Sequence, residues 1–158
     1  MLTTRAQPPI HVAVEVASDG LEWPLSRPKA QRVIEAVLRV ERVRQALISV
    51  AFVTRRQIAA LNREHLGVAG ATDVISFSFT RAGRNKPVIG DIYIAPDVAR
   101  ANAKTSRVSV REEIVRLLVH GALHVLGYDH PEHHGREQSR MWKRQEQLVR
   151  RSMTLIAK

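Results

Sequence analysis

Five of the chain's seven histidines fall between residues 120 and 134. The run reads His120-Gly121-Ala122-Leu123-His124-Val125-Leu126-Gly127-Tyr128-Asp129-His130. His120 and His124 are four residues apart within a stretch of helical apolar spacing, so both imidazoles leave one helix face. Gly127 can turn the chain sharply, and His130 then returns toward the same point from outside the helix. Any fold of this chain has to place a helix, a tight reversal and an incoming loop around one spot.

Three neutral nitrogen ligands with a fourth position open describe a catalytic zinc centre rather than a structural one. The chain has no cysteine, so no thiolate completes a structural site, and disulfide frameworks and cysteine nucleophiles are excluded. The bland alternative is a satisfied helical pair plus a loop histidine. His133 and His134 read as solvated residues opening the last helix, and His11 and His65 as isolated structural residues. The spacing H-x3-H-x2-G-x2-H is that of zinc peptidases that carry Glu directly after the first His as general base. Here that position is Gly121. The metal cradle is present and the peptidase base is missing, which favours another metal-assisted hydrolysis.

Charge narrows the substrate. Of 158 residues, 25 are Lys or Arg and 15 are Asp or Glu, a net charge of +10. Such an excess points to a polyanion, most simply nucleic acid, although a codon-driven arginine bias gives the same number. Aromatics are 4%, too few for a binder built on many stacked rings. The start of the chain lacks the apolar core of a secretion signal, and no apolar run approaches the ~18 residues of a membrane span. A cytoplasmic protein with no membrane partner is expected.

Residues 12–16, 46–53, 72–79 and 88–94 read as strands. Helices are expected over about 28–44, from the Thr54/Gln57 capping box to Gly67, from Pro96, from the Ser109/Glu112 box to Gly127, and from Pro131 to about Met153. Hydrophobic residues at 44% suffice for a core. The expectation is one α+β domain over residues 1–158, with about five helices on a mixed sheet of about four strands and the zinc site at a helix end.

At this level the sequence resembles the YbeY endoribonucleases of bacteria over about residues 46–149. Three blocks carry the likeness: Leu61-Asn62 with Thr72-Asp73-Val74-Ile75-Ser76-Phe77; Gly90-Asp91-Ile92; and the histidine run, followed by Met141 and Glu146. The resemblance implies a single-strand-specific, metal-dependent endoribonuclease acting at the 3′ end of 16S ribosomal RNA and in ribosome quality control. It implies one zinc ion per chain on His120, His124 and His130, with single-stranded ribosomal RNA and the small ribosomal subunit as partners and no DNA. The family often has an arginine four residues after the Asn of the Leu-Asn pair. Here that position is Leu66, and Arg63, one turn earlier, is the candidate substitute.

Other candidates are weaker. Asp91, inside an apolar strand, either orients a metal-bound histidine or is a hydrogen-bonded structural acid. Asp73 reads as a turn residue, and Asp129 as the cap of the last helix or a partner of the metal ligands. Arg81, Arg84 and Lys86 form a basic loop. Arg140, Lys143, Arg144, Arg150 and Arg151 give the last helix a basic side, for solvent or for phosphates. Two further readings remain open: a zinc peptidase with an unusual base, and a non-catalytic ribosome assembly factor with a structural zinc.

Overall fold

Alternating β-branched segments and capped amphipathic helices assemble as the pattern requires. The computed structural model describes residues 9–16, 23–79, 86–131 and 135–158. Strands β1 (Ile10–Val16), β2 (Ala46–Phe52), β3 (Val74–Ser78) and β4 (Val88–Ile94) form one sheet in the order β1-β2-β4-β3. The β1–β2 and β2–β4 pairs are parallel and β3 runs antiparallel to β4, so the sheet is mixed. Five helices complete the single α+β domain: α1 (Arg27–Val40), α2 (Arg55–Leu66), α3 (Pro96–Ser106), α4 (Val110–Val125) and α5 (Arg140–Ile156). Among the described residues no helix is long and apolar enough to cross a membrane.

The helix starts follow their caps. Thr54 and Gln57 bond each other's backbone N–H at 3.1 and 2.9 Å, a complete capping box. Ser109 accepts the Glu112 N–H at 3.0 Å, but the Glu112 side chain turns to Arg116 at 3.5 Å. Helix α1 ends four residues earlier than expected. Arg42 takes a left-handed backbone (φ 60°), and the Val43 N–H returns to the Leu38 carbonyl at 2.9 Å, closing the helix. Helix α5 is the larger departure. It begins at Arg140, because Ser139 accepts the Trp142 N–H at 3.1 Å and a short 3-10 turn at Arg136–Gln138 precedes it. Pro131 therefore does not open α5. Asp129 is not a helix cap either; it accepts its neighbour's N–H, that of His130, at 2.8 Å.

The two faces of the sheet differ. The main core lies between one face and α1, α4 and α5, through Val33, Ile34, Ile48, Val50, Ile92, Leu118, Leu123 and Leu148. A smaller cluster on the opposite face joins Ile58 and Leu61 of α2 to Ile75, Phe77 and Tyr93. Alternation along β4 sends Gly90 and Ile92 toward α4 and Asp91 and Tyr93 toward the other face. Helix α4 lies close on the sheet. A Cβ at Gly121 would stand 2.7 Å from Ile92 Cγ2, and one at Gly90 would stand 2.5 Å from Val125 Cγ1. Gly121 thus does more than omit a peptidase base: it lets the histidine-bearing turn of α4 sit against β4.

Candidate metal centre

Helix α4 delivers His120 and His124 one turn apart, with ring centroids 4.5 Å apart. Beyond Val125 the Tyr128 N–H returns to the Leu123 carbonyl at 3.0 Å, and Gly127 adopts φ 96°, a left-handed geometry that glycine takes without strain. The reversal carries the His130 ring to 5.1 Å from His120 and 5.0 Å from His124. One ligand atom from each ring lies within 4.8 Å of the others, so the three side chains could hold a metal ion.

The second nitrogen of each ring decides what faces the centre. His120 Nδ1 meets Gln145 Oε1 at 2.7 Å, His124 Nδ1 meets the Tyr128 carbonyl at 2.9 Å, and His130 Nδ1 meets the Pro131 carbonyl at 3.1 Å. Carbonyl oxygens only accept, so Nδ1 carries the proton on His124 and His130. The same holds for His120, because Gln145 turns its NH₂ to Glu146 Oε1 at 3.3 Å and leaves Oε1 for the ring. Each Nε2 is then an unprotonated lone pair aimed inward, the arrangement by which outer partners orient metal-bound histidines. His124 Nε2 and His130 Nε2 stand 3.2 Å apart. Two nitrogens on one tetrahedral ion, each about 2.1 Å from it, are separated by roughly 3.4 Å. The donor set therefore fits a metal ion, and without a cation the facing lone pairs repel.

Electrostatics agree. Burial is the main cause that pushes His120 down to about 4, opposed by its bond to Gln145 and reinforced by the neighbouring histidines and Arg136. Burial also lowers His124. Both rings are thus held in the neutral form a metal needs.

Two cavities lie on this part of the molecule, and the first opens onto the triad. One, of about 600 Å³, reaches His120 and His130 and is walled by Asp73, Glu113, Arg116, Trp142, Gln145 and Glu146. Arg116 holds Glu146 with two bonds, Nε–Oε1 at 2.8 Å and Nη2–Oε2 at 3.0 Å. Burial pushes Glu146 up, but the Arg116 bond and charge outweigh it and keep the carboxyl below its usual range. Burial raises Glu113, against the pull of Arg116. The second cavity, of about 710 Å³, is lined by Glu41, Arg42, Tyr128, Arg140, Lys143 and Arg144 among others. Glu41 ties it together, accepting the Tyr128 hydroxyl at 2.9 Å and Arg144 Nε at 2.6 Å. Arg140 lies 6.0 Å over the Tyr128 ring. Tyr128 belongs to both sides, since its carbonyl fixes His124.

The remaining candidates fall elsewhere. Asp91 points to the sheet face opposite α4, and the three histidines take other partners, so it orients none of them. Burial raises its carboxyl. Arg63 is exposed on α2, which packs on that same opposite face. Asp73 is a loop-closing acid that accepts Val74 N–H at 2.8 Å and Asn102 Nδ2 at 3.0 Å. His65 packs edge-on against Phe77, and His11 is exposed. Lys86, Arg150 and Arg151 are exposed, while Arg81, Arg84, His133 and His134 lie outside the described residues. Sequence reasoning missed Gln145, Arg116 and Glu113. Gln145 left a signal: it is a polar residue on the buried stripe Met141, Leu148, Val149, Ser152, Ile156, and a buried amide needs partners.

Comparison with known proteins matches this frame. The family model described as "Endoribonuclease YbeY" matches residues 19–153. A protein of that name from Syntrophus aciditrophicus is 31% identical over 147 residues, covering 91% of this chain and 92% of the relative. One from Bifidobacterium animalis subsp. lactis is 39% identical over 146 residues (87% and 78%), and one from Bacillus subtilis 37% over 114 residues (66% and 71%). A solution structure of a Thermotoga maritima protein superposes with a TM-score of 0.60 at 21% identity, covering 93% of this chain and 92% of that one, a likeness of fold. With a family model spanning most of its length and relatives matched nearly end to end, the chain belongs to the YbeY endoribonuclease family.

Proposed function

We propose that this protein is a single-strand-specific endoribonuclease that holds one zinc ion on His120, His124 and His130. Its substrate is ribosomal RNA, cut at the 3′ end of the 16S species on the small subunit in the cytoplasm, during maturation and quality control. The observation that carries the reading is the convergence of three Nε2 lone pairs whose Nδ1 positions are all fixed. Nitrogen ligands without carboxylate or thiolate suit zinc. The bound ion would supply Lewis acidity toward the phosphoryl oxygens of the scissile linkage.

The chain's own groups do the rest. Gln145 and the Tyr128 and Pro131 carbonyls keep the three rings aimed. Arg42, Arg140 and Lys143 border the open groove beside Tyr128, where phosphates on one side of the scissile bond can pair with them. Gly121 offers no side chain to act as base in peptide hydrolysis, which favours the nuclease over the peptidase.

The test is metal analysis and cleavage of single-stranded RNA by wild type and His124→Ala. Wild type should carry about one zinc and cut. The variant should lose the metal and slow cleavage by on the order of 10³-fold. Cleavage that persists in the metal-free variant overturns the assignment. Casein hydrolysis that disappears in His124→Ala supports the peptidase instead. Metal-free variants that still complement a maturation defect support the assembly factor. A 2′,3′-cyclic phosphate on the product would identify the ribose hydroxyl as the attacking group.

A further inference from the structure

The cavity that opens from His120 and His130 toward Trp142 is chemically unlike the groove beside Tyr128. At about 600 Å³ it has the size of a small-ligand pocket, roughly 300–1,000 Å³. It is a poor channel for the RNA backbone. Four carboxylates, Asp73, Glu113, Glu137 and Glu146, line it against two guanidiniums, Arg116 and Arg136, and Arg116 is already engaged with Glu146, Glu112 and Glu113. Half-buried Trp142 supplies an aromatic wall. Glu113 meets Arg116 through Oε2, at 3.6 Å, and among the described residues its other oxygen has no hydrogen-bond partner. Arg116 Nη1, the atom beside it, makes only long contacts of 3.5 and 3.6 Å.

These walls specify a ligand. It must be flat, to lie on an indole. It must offer two adjacent N–H donors, because a carboxylate only accepts. It must also offer one acceptor next to them for the guanidinium. Uracil turns two carbonyl oxygens outward and fails. The Watson–Crick edge of guanine carries N1–H, the exocyclic amine and O6 side by side. We propose that this cavity is a guanine pocket, with the base stacked on Trp142, N1–H and the amine donating to Glu113, and Arg116 donating to O6. The sugar-phosphate then leaves past His120 and His130, so the base belongs to a nucleotide beside the scissile phosphate. That last step rests on the nuclease reading above; recognition of the base does not.

The experiment separates the two. The chain has two tryptophans, so two indole N–H resonances report on it by NMR. Trp23 is stacked on Phe52 in the core and serves as an internal control. In metal-free protein, guanosine should move the Trp142 resonance and bind at least tenfold tighter than uridine. Glu113→Gln should reduce that preference at least tenfold with the circular dichroism unchanged. Equal binding of the two nucleosides, or no shift with either, overturns the pocket. If Glu113→Gln does not fold, the wild-type ranking still decides. RNA cleavage without guanosine binding would discard the pocket and leave the nuclease. Guanosine binding without RNA cleavage would do the reverse.

Discussion

Two regions of opposite character lie near the triad: one opens onto it, and the other is joined to it through Tyr128, whose carbonyl holds His124. In the first, four carboxylates and two guanidiniums wall a recess around the tightly bonded Arg116. In the second, four cations and one carboxylate surround the ring of Tyr128. The protein as a whole carries +10, so the acidic recess is the exception and the basic groove the rule. The difference is one of cost. In the recess, charges are partly desolvated and must be paired, so they are tied to folding. In the groove most are solvated, contribute little to stability, and remain available to a polyanion.

Changes on the two sides should therefore register in different measurements. The largest expected effect is on the recess. Arg116→Ala strands Glu146 and Glu113 and should cost about 3–4 kcal/mol in urea unfolding, allowing for the fifth of the side chain that is exposed. A loss below about 1 kcal/mol would make the recess as solvated as the groove.

The next is at His120, where the recess meets the triad. Its folded value of about 4 is below the ordinary 6.5, so the unfolded chain binds the extra proton first. Stability from this group is complete above about pH 6.5 and is lost as the pH falls toward 4, up to about 3 kcal/mol in metal-free protein. Wild type should lose stability over that window more steeply than His120→Asn, and parallel curves would refute the account.

The smallest effect on folding is expected in the groove. Arg140→Ala with Lys143→Ala should change stability by under about 0.5 kcal/mol. The same pair should flatten the salt dependence of RNA binding by about two units of slope. An unchanged slope would place the RNA backbone elsewhere.

How much of this was legible in the sequence depends on how far each signal reaches. The three histidines were legible because helix periodicity and a glycine turn are local, and the capping pairs of α2 and α4 were legible for the same reason. The start of α5 was not. Pro131 and Asp129 are good local openers, but Ser139 provides the cap where the chain rejoins α4. The placement of Asp91 was hidden for a different reason. Strand alternation puts Asp91 and Ile92 on opposite faces, but only packing tells which face α4 covers, and it covers the face of Ile92. Gly121 was read as a missing base; its contact with Ile92 spans 29 positions of sequence and carried no local mark.

The outer partners of the triad have a genetic consequence. Two of the three rings are aimed by main-chain carbonyls, at Tyr128 and Pro131, which no codon change removes. The aim of His120 alone depends on a side chain, Gln145. Among the three groups that aim the rings, a saturation screen for loss of function should thus return one hypersensitive side chain, Gln145 of helix α5, and tolerate more variety at positions 128 and 131, where only the main chain aims a ring.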